Sequence, residues 1–394
     1  MHRNSVRLAV SCVVLAVAAG LSIVAPTARV GATTTTGSTC GVDCLAIETG
    51  GRALVARDDG PPGLIVLVDR RGVVATYSFG TSELGTSSPI TASDHLRLAS
   101  VSKAYSAALA LAMAAKGTLH LSDPVGRRVH GLPKAWRSVT LAELLQHTSG
   151  IPDFIQAPQF RADLTANPYD PPSRFGLVSL AFPLEMSFSP PGSSYRYSNT
   201  DNELVGLMVQ SAAGRSYEHE LATLVTNPLG LADTSLPQGE DLAVPYAHGY
   251  SVEAGTPPKD VTNEFSAGWS WASGGMVATP SDVDRFMRAD ASGTLTTGEL
   301  HAQQLHVRPG SSEPPGPGTN EAGLGIFRYE TRCGTVYGHT GNTLGYTQFA
   351  ASTSDGTRSV VVQANAQITP GNAPEAFARL LEVETSAVCA SLSN

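Results

Sequence analysis

The stretch LRLASVSKAYSAALALAMAAKG (residues 96–117) determines much of the predicted fold. After its first few residues it is rich in Ala and Leu, which predicts an apolar helix that ends at Gly117. A charged residue, Lys103, stands where the apolar run begins, three residues after Ser100. Residues three apart lie on one face of a helix, about one turn from each other. We therefore expect a serine hydroxyl and a lysine side by side in apolar surroundings.

Such a pair is suited to nucleophilic chemistry. A serine hydroxyl is a weak nucleophile and needs a base, and a lysine can be that base if burial or a nearby cation lowers its pKa. The free N–H groups at the start of a helix also favour an oxyanion there. Taken alone, the S-x-x-K pair is also typical of a helix N-cap followed by a surface lysine.

A second motif, Tyr197-Ser198-Asn199, follows the turn PPGSSYR and precedes a predicted helix. Tyrosine can relay a proton, and asparagine can hydrogen-bond both a substrate amide and a lysine. By themselves these residues also fit a half-buried aromatic side chain and an ordinary N-cap.

A third motif, His339-Thr340-Gly341, lies on a predicted strand late in the chain. A strand edge of small residues lets a substrate pair alongside, and a backbone N–H there can point at an oxyanion. A strand end with a glycine turn would explain the motif alone. The three motifs together, in this order, predict an active site around Ser100.

Strand and helix patterns place these motifs in an α+β fold. The runs 64–69 and 73–79 predict a strand hairpin. Later strand-like runs are GLGIFRYE, GTVYGHTG, GYTQFAAS and RSVVVQAN, and a last helix, PEAFARLLEVETSAV, follows them. We expect the early and late parts to share one antiparallel sheet flanked by helices.

The middle of the chain differs in character. It holds short helical patterns (LAELLQH, NELVGLMVQSA and YEHELATLV) between long Pro- and Gly-rich loops. We therefore predict a mostly helical inserted domain at residues 121–263, within an α/β sheet domain formed by 33–120 and 264–394.

The composition excludes several classes of function. Of the 394 residues, 42% are hydrophobic and 15% are charged, which is enough apolar material for a large core. The net charge is −8, and no Lys/Arg cluster offsets it, which argues against nucleic acid and anionic membranes as partners. The ten histidines form no HExxH motif or paired cluster, so neither a metal nor a cofactor is expected.

Residues 1–32 are predicted to be a signal peptide. Arg3 and Arg7 precede an apolar run at 8–25, and VGA at 30–32 offers the small residues that a signal peptidase needs. A transmembrane anchor is the alternative, because the run approaches membrane-spanning length. We expect cleavage, and hence a secreted protein with no stable membrane anchor. As a separate expectation, the protein is a monomer.

Export also makes the cysteines informative. Removal of the leader leaves four, and an oxidising compartment favours two disulfides among three possible pairings. The preferred pairing joins Cys40 to Cys44 and Cys333 to Cys389. The second bond would connect a strand to the C-terminal helix and contribute roughly 4 kcal/mol by loop-closure entropy.

The order S-x-x-K, Y-x-N, H-T-G resembles the signature of the serine penicillin-recognising enzymes. With Tyr in the second motif and His in the third, the chain resembles the class C β-lactamase and D-alanyl-D-alanine carboxypeptidase branch, particularly the secreted actinomycete carboxypeptidases. The likeness covers most of the mature chain, through RLASVSKAYSA, LLQHTSGIPD, YRYSNT, SWASGGMVATPSDVDRF and CGTVYGHTGNTLGY.

The resemblance implies a role for each motif. Ser100 would be acylated, Lys103 and Tyr197 would shuttle its proton, and Asn199 would position the substrate. The backbone N–H groups of Ser100 and Asn342 would form the oxyanion hole.

Further residues follow from the same resemblance. Thr340 would contact the substrate carboxylate beside Gly341. His339 replaces the lysine of other branches and would supply positive charge only when protonated, which would tie activity to pH. Trp271 matches a position on the wall of the cleft.

One position departs from the family pattern. Carboxypeptidases of this type can use an arginine on the strand before H-T-G for the terminal carboxylate. Alignment back from Cys333 places Phe327 there, with Arg328 beside it. Adjacent strand residues face opposite sides of a sheet, so the register decides whether Arg328 reaches the cleft.

These inferences predict an exported serine hydrolase that removes the C-terminal D-Ala from D-Ala-D-Ala peptides of cell-wall precursors through an acyl-enzyme. β-Lactams are expected to acylate the same enzyme. Alternatives within the same fold are a β-lactamase and a relaxed esterase or amidase. A non-hydrolytic penicillin-binding module is a further alternative, although the intact motifs count against it.

Overall fold

A computed structural model describes residues 41–393, so the predicted leader and Cys40 lie outside the described part of the chain. The helices are α1 (Val42–Val55), α2 (Ser102–Ala115), α3 (Val125–Arg128), α4 (Leu141–Leu145), α5 (Pro158–Ala166), α6 (Arg174–Ser179), α7 (Asn199–Ala213), α8 (Tyr217–Leu221), α9 (Trp271–Gly274), α10 (Pro280–Ala291), α11 (Gly298–Gln304) and α12 (Pro374–Leu392). The strands are β1 (Gly63–Arg70), β2 (Val73–Gly80), β3 (Leu96–Arg97), β4 (Thr234–Ser235), β5 (Tyr250–Glu253), β6 (Thr256–Asp260), β7 (Val277–Ala278), β8 (Thr319–Ala322), β9 (Phe327–Thr331), β10 (Gly334–Thr343), β11 (Tyr346–Ser352), β12 (Arg358–Ala364) and β13 (Ala366–Gln367).

The main sheet is antiparallel, with the strand order β2-β1-β12-β11-β10-β9-β8. Strand β1 pairs with β12, so that Leu64 lies opposite Ala364 and Arg70 opposite Arg358. This pairing joins the early and late parts of the chain in one sheet. The predicted α+β fold, an antiparallel sheet flanked by helices, is therefore confirmed.

Helices cover both faces of this sheet. On one face α1 and α12 pack against each other and against β1, around an apolar core that includes Ile47, Phe79 and Leu380. On the other face lie α10 and α2, whose core continues into the helices of the middle segment. Helix α2 is buried along most of its length, from Ser102 to Met113, which explains why most of its residues are apolar on every side of the helix.

The middle segment, residues 121–263, holds α3 to α8 together with the short strands β4 to β6. Helix α7 packs against α2, α4 and α9. The segment thereby places the start of α7 opposite the start of α2. None of the helices within 41–393 is long and apolar enough to cross a membrane.

One predicted disulfide is present. Cys333, in the turn between β9 and β10, is bonded to Cys389 of α12, which confirms the predicted link between a strand hairpin and the last helix. The second predicted pair, Cys40 with Cys44, falls outside the described residues because Cys40 precedes them.

Candidate active site

Ser100 lies at the sharp entry to α2. It is the middle residue of a 3₁₀ turn, Ala99–Val101, that leads directly into the helix. Ala99 has a φ of +48°, in the left-handed region that costs a residue with a Cβ about 1–2 kcal/mol. The surrounding contacts hold this strained backbone in place. Ser100 is thereby presented to a cleft beside the end of β10.

The glycine of the third motif permits this close approach. A Cβ added to Gly341 would lie 2.3 Å from the carbonyl oxygen of Leu98 and 3.2 Å from the backbone N of Ser100. Strand β10 therefore passes within contact distance of the backbone of Ser100. Only a residue without a side chain fits there unless the backbone moves.

Lys103 connects the first two motifs. Its Nζ donates hydrogen bonds to Ser100 Oγ at 3.0 Å, to Asn199 Oδ1 at 2.7 Å and to the carbonyl oxygen of Ser273 at 2.7 Å. The side chain is 0% exposed. Burial lowers the pKa of Lys103 to about 7, although the charges of buried acids nearby oppose that shift. A lysine with this pKa can take the proton of a serine at neutral pH.

The acids near Lys103 also hold its partner in place. Asn199, the first residue of α7, donates from Nδ2 to Asp153 Oδ2 at 2.8 Å. This contact orients the amide so that its oxygen faces Lys103. Burial raises the pKa of Asp153. Asp153 was not among the predicted site residues, although it ends the motif LLQHTSGIPD.

Tyr197 covers another side of Lys103. The centre of its ring lies 5.0 Å from Lys103 Nζ. Its hydroxyl is buried and, within the described chain, has no hydrogen-bond partner at ordinary distance and angle. Burial raises the pKa of this hydroxyl, and the neighbouring Ser100 side chain partly offsets that effect. The neutral phenol is therefore placed to pass a proton between Lys103 and a group bound at Ser100.

The ring of His147 packs against the ring of Tyr197. The two rings are 4.4 Å apart, and His147 Nδ1 lies 3.0 Å from Asp201 Oδ2. Ser149 donates to the other oxygen of Asp201 at 2.6 Å. His147 is buried at the centre of this network and does not line the cleft, so it positions Tyr197 rather than contacting a substrate.

His339 does not provide the charge expected of it. The ring is fully buried, with Nδ1 2.5 Å from the carbonyl oxygen of Thr340, and it packs edge-on against Phe327 at 5.0 Å. Burial, with a further contribution from Lys103, lowers the pKa of His339 to about 3. The ring is neutral at ordinary pH. The expectation that its protonation ties activity to pH is therefore wrong.

Beyond Gly338, β10 has no paired strand on its β9 side among the described residues. Its partner β9 follows it only as far as Gly338, whereas β11 continues on the other side to Thr343. Thr340 and Asn342 line the cleft along this unpaired edge. The side chain of Asn342 is tied back to Thr347 Oγ1 at 3.0 Å. This arrangement leaves backbone groups of β10 facing the cleft beside Ser100.

Two pockets meet at Ser100. The larger has a volume of about 720 Å³ and includes Asn199. The large apolar and aromatic residues of its lining are Phe154, Ile155, Phe160, Leu164, Tyr169, Phe265, Trp269 and Leu344. The smaller, of about 220 Å³, includes Tyr197, Thr340 and the face of α12 that carries Glu384. Among the described residues that line either pocket there is no Arg or Lys, whereas Glu264 and Glu384 both carry carboxyl groups.

Two predicted substrate contacts are not at the cleft. Trp271 is 1% exposed in the core, where its Nε1 donates to Glu218 Oε1 at 2.9 Å. Its neighbour Trp269 lines the larger pocket instead. Trp271, two residues later, is the first residue of α9, and its ring packs against Tyr217 with the ring centres 5.1 Å apart.

Arg328 also lies away from Ser100. In the observed register it pairs with Glu321 of β8, and its guanidinium contacts Glu321 at 2.5 Å and Glu330 at 3.3 Å. Phe327 lies opposite Gly338 of β10 and is buried. Arg328 is therefore held by two carboxylates and does not line either pocket at Ser100.

The described part of the chain contains no group of three or more His, Cys, Asp or Glu side chains arranged to hold a metal ion. The chemistry available from the residues themselves is an activated serine beside a buried lysine and a tyrosine. This arrangement is suited to acyl transfer through a covalent intermediate.

The amino-acid sequence is similar to those of penicillin-binding and related proteins. Protein flp of Staphylococcus aureus (strain MRSA252) is 25% identical over 232 residues, which are 58% of this chain and 45% of that protein. Penicillin-binding protein 4* of Bacillus subtilis (strain 168) is 28% identical over 173 residues, 44% of this chain and 37% of that protein. The matches thus span less than half the length of these relatives.

Solved structures match over more of the chain. A D-stereospecific amidohydrolase from Streptomyces sp. has a TM-score of 0.75 and 28% identity, and the match covers 86% of this chain and 98% of that one. The D-amino acid amidase of Ochrobactrum anthropi SV3 shares the fold, with a TM-score of 0.74, 23% identity, and coverage of 87% and 99%. The Beta-lactamase family matches residues 52–385. The chain therefore belongs to the Beta-lactamase family and shares the fold of these solved structures.

Proposed function

We propose that this protein is a serine amidohydrolase that cleaves the amide bond after a D-amino acyl group, through an acyl-enzyme at Ser100. The observation that carries the proposal is the 3.0 Å distance between Ser100 Oγ and Nζ of buried Lys103, whose pKa of about 7 lets the neutral amine accept the serine proton. The preference for a D-amino acyl group is supported by the likeness to the D-stereospecific amidohydrolase.

The residues divide the reaction between them. Neutral Lys103 takes the proton of Ser100 as Oγ attacks the carbonyl carbon. The backbone N–H groups of Ser100 and Asn342 stabilise the oxyanion that forms. The proton then passes by way of Tyr197 to the leaving nitrogen, the C–N bond breaks, and the amine departs. Water, deprotonated by the same pair, cleaves the acyl-enzyme and restores the serine hydroxyl.

The acyl group occupies the larger pocket in this proposal. Asn199 lines that pocket and has its amide oriented by Asp153, so that it can bind the polar part of the acyl group. The aromatic and aliphatic lining favours an apolar side chain. β-Lactams, which present a strained amide carbonyl, are expected to acylate the same serine.

D-Ala-D-Ala carboxypeptidase activity would be a narrower form of this reaction. It requires recognition of a leaving group that ends in a carboxylate. The described lining of the cleft offers the hydroxyl of Thr340 for that carboxylate but no arginine or lysine. We therefore propose amides without a terminal carboxylate as the better substrates. Export of the protein is part of the proposal, on the ground of the leader-like sequence at residues 1–32.

The test compares the full chain with a Ser100→Ala variant and with Ser354→Ala as a control at an exposed turn. The substrates are D- and L-phenylalanine amide and an acyl-D-Ala-D-Ala peptide, and a fluorescent penicillin reports acylation. We expect D-phenylalanine amide to be hydrolysed in preference to its L form, and both hydrolysis and penicillin labelling to be lost only in Ser100→Ala. Equal activity in Ser100→Ala, or a preference for the L form, would overturn the proposal.

A further inference from the structure

The smaller pocket contains a carboxyl group that the reaction described above does not use. Helix α12 contributes Phe377, Leu381 and Glu384 to its wall, at a spacing that puts all three on one helix face. Thr340 and Tyr197 line the same pocket from the catalytic side. Glu384 thus shares a small cavity with the groups that surround the reacting bond.

Glu384 is buried without a partner. It is 3% exposed, and among the described residues its carboxyl group takes part in no hydrogen bond or ion pair. Buried carboxyl groups are ordinarily hydrogen-bonded or paired, because desolvation without compensation is costly. Burial alone raises the pKa of Glu384. An unpartnered acid of this kind next to a substrate pocket indicates that a ligand completes its contacts.

The other carboxyl group at the cleft differs in this respect. Glu264 lines the larger pocket, is half exposed, and forms an ion pair with Lys259. Its charge is already compensated. Glu384 is therefore the acid whose partner is missing.

The smaller pocket lies on the leaving-group side of the reacting bond. The leaving nitrogen must receive a proton from Tyr197, and Tyr197 lines the smaller pocket but not the larger one. Asn199, which binds the acyl side, lines the larger pocket but not the smaller one. The group that departs with the nitrogen therefore extends toward α12.

We propose that Glu384 determines leaving-group specificity, by binding a positively charged amine carried by the leaving group and disfavouring a carboxylate there. This inference rests on the proposed amidohydrolase function and names its substrate class: amides of D-amino acids whose amine component bears a second, protonated amino group. The positive charge of that ammonium favours the ionised form of Glu384 against the effect of burial, and its charge-assisted hydrogen bond satisfies the carboxylate. A terminal carboxylate in the same pocket would face Glu384 with no described cation to offset it.

Three probes with one acyl group test the inference. D-Phenylalanine is joined by an amide to 1,3-diaminopropane, to butylamine or to β-alanine, so that the end of the leaving group is cationic, neutral or anionic at similar length. We expect kcat/KM to fall in that order for the wild-type chain. The cationic probe should exceed the neutral one by about tenfold or more, the usual effect of a hydrogen bond to a charged group.

A Glu384→Gln variant keeps the shape of the side chain and removes its charge. We expect the cation-to-neutral ratio of kcat/KM to fall about tenfold and the anion-to-neutral ratio to rise. Glu382→Gln is the matched control, because Glu382 is an exposed residue of the same helix, and it should keep the wild-type ratios.

The outcomes separate the two proposals. If kcat/KM of the wild-type chain is the same for all three probes, or is highest for the β-alanine probe, the proposed role of Glu384 is wrong, and the variant is not needed to show it. An equal loss for all three probes in Glu384→Gln would mean that the residue is structural and would also overturn it. If none of the three probes is hydrolysed in a Ser100-dependent way, the amidohydrolase proposal itself fails.

Discussion

Lys103 Nζ lies 3.0 Å from Ser100 Oγ and 2.7 Å from Asn199 Oδ1, so one buried ammonium group joins the nucleophile to the residue that begins α7. These partners are far apart in the chain and meet because α2 and α7 pack against each other. The hydrogen bond from Lys103 to the carbonyl of Ser273 adds a contact from α9. The position and the pKa of the base thus depend on three separate segments.

The rate of acylation should depend on pH through Lys103. The lysine acts as a base only when neutral, and burial lowers its pKa to about 7. We expect the rate of Ser100 acylation by a fluorescent penicillin to rise about tenfold per pH unit below 7 and to level off above it. His339, with a pKa of about 3, should add no inflection of its own between pH 5 and 9. A His339→Gln variant should therefore keep the pH at which the acylation rate levels off. An acylation rate of the wild-type chain that does not change with pH would contradict the assignment of Lys103 as the base.

Loss of Asp153 should impair catalysis by releasing Asn199. The carboxylate of Asp153 accepts from Asn199 Nδ2 at 2.8 Å and so orients the amide toward Lys103. In Asp153→Ala we expect kcat/KM for D-phenylalanine amide to fall by about 10–100-fold, as small displacements of reacting groups do. Asp153→Asn keeps an acceptor oxygen and should lose less. Equal losses in both variants at an unchanged melting temperature would argue against an orienting role.

A side chain at position 341 should damage both activity and folding. The Cβ of a Gly341→Ala variant would meet the carbonyl oxygen of Leu98 at 2.3 Å, so β10 must move away from Ser100. We expect the free energy of unfolding to fall by about 1–3 kcal/mol, and acylation to slow by roughly 100-fold. Gly298→Ala is the control, because nothing lies within 4 Å of the added Cβ there. Unchanged acylation in Gly341→Ala would show that the close approach is not needed.

The Cys333–Cys389 disulfide should stabilise the fold. It closes a loop with a sequence separation of 56, for which loop-closure entropy gives about 4 kcal/mol. Urea unfolding of a Cys333→Ala/Cys389→Ala variant should report a loss of about that size. A single Cys333→Ala variant loses the cross-link but keeps the sulfur of the buried Cys389. The difference in unfolding free energy between the single and the double variant therefore measures the packing contribution of that sulfur. A loss below about 1 kcal/mol in both would contradict the entropic account.

Elements with regular patterns were predictable. The hairpin expected at 64–69 and 73–79 is observed as β1 and β2, and the last helix expected at PEAFARLLEVETSAV is observed as α12. Helix α1 was missed, since Gly50 and Gly51 are poor helix formers. The structure gives the reason for one of them: a Cβ on Gly51 would lie 2.3 Å from the ring of Phe79, so the glycine serves the packing of α1 on the sheet.

Side-chain directions at the cleft were less predictable. Trp269 and Trp271 are two residues apart, and the short turn before α9 decides which one faces the cleft. The position of Arg328 depends on the pairing of β9 with β8, which brings Glu321 opposite it. The local residue pattern does not specify the strand register or the turn geometry. In a strand, a shift of the pairing by one position reverses the face on which a side chain lies.

The sequence by itself determined the candidate nucleophile, the lysine three residues away, the order of the three motifs and the strands that flank them, because helix and strand periodicities are properties of the local chain. The tertiary structure decided the pKa of Lys103, the neutrality of His339, the removal of Arg328 from the cleft and the unpaired carboxyl group of Glu384. Burial and charge are sums over neighbours from distant segments, so these properties arise only when α2, α7, β10 and α12 come together.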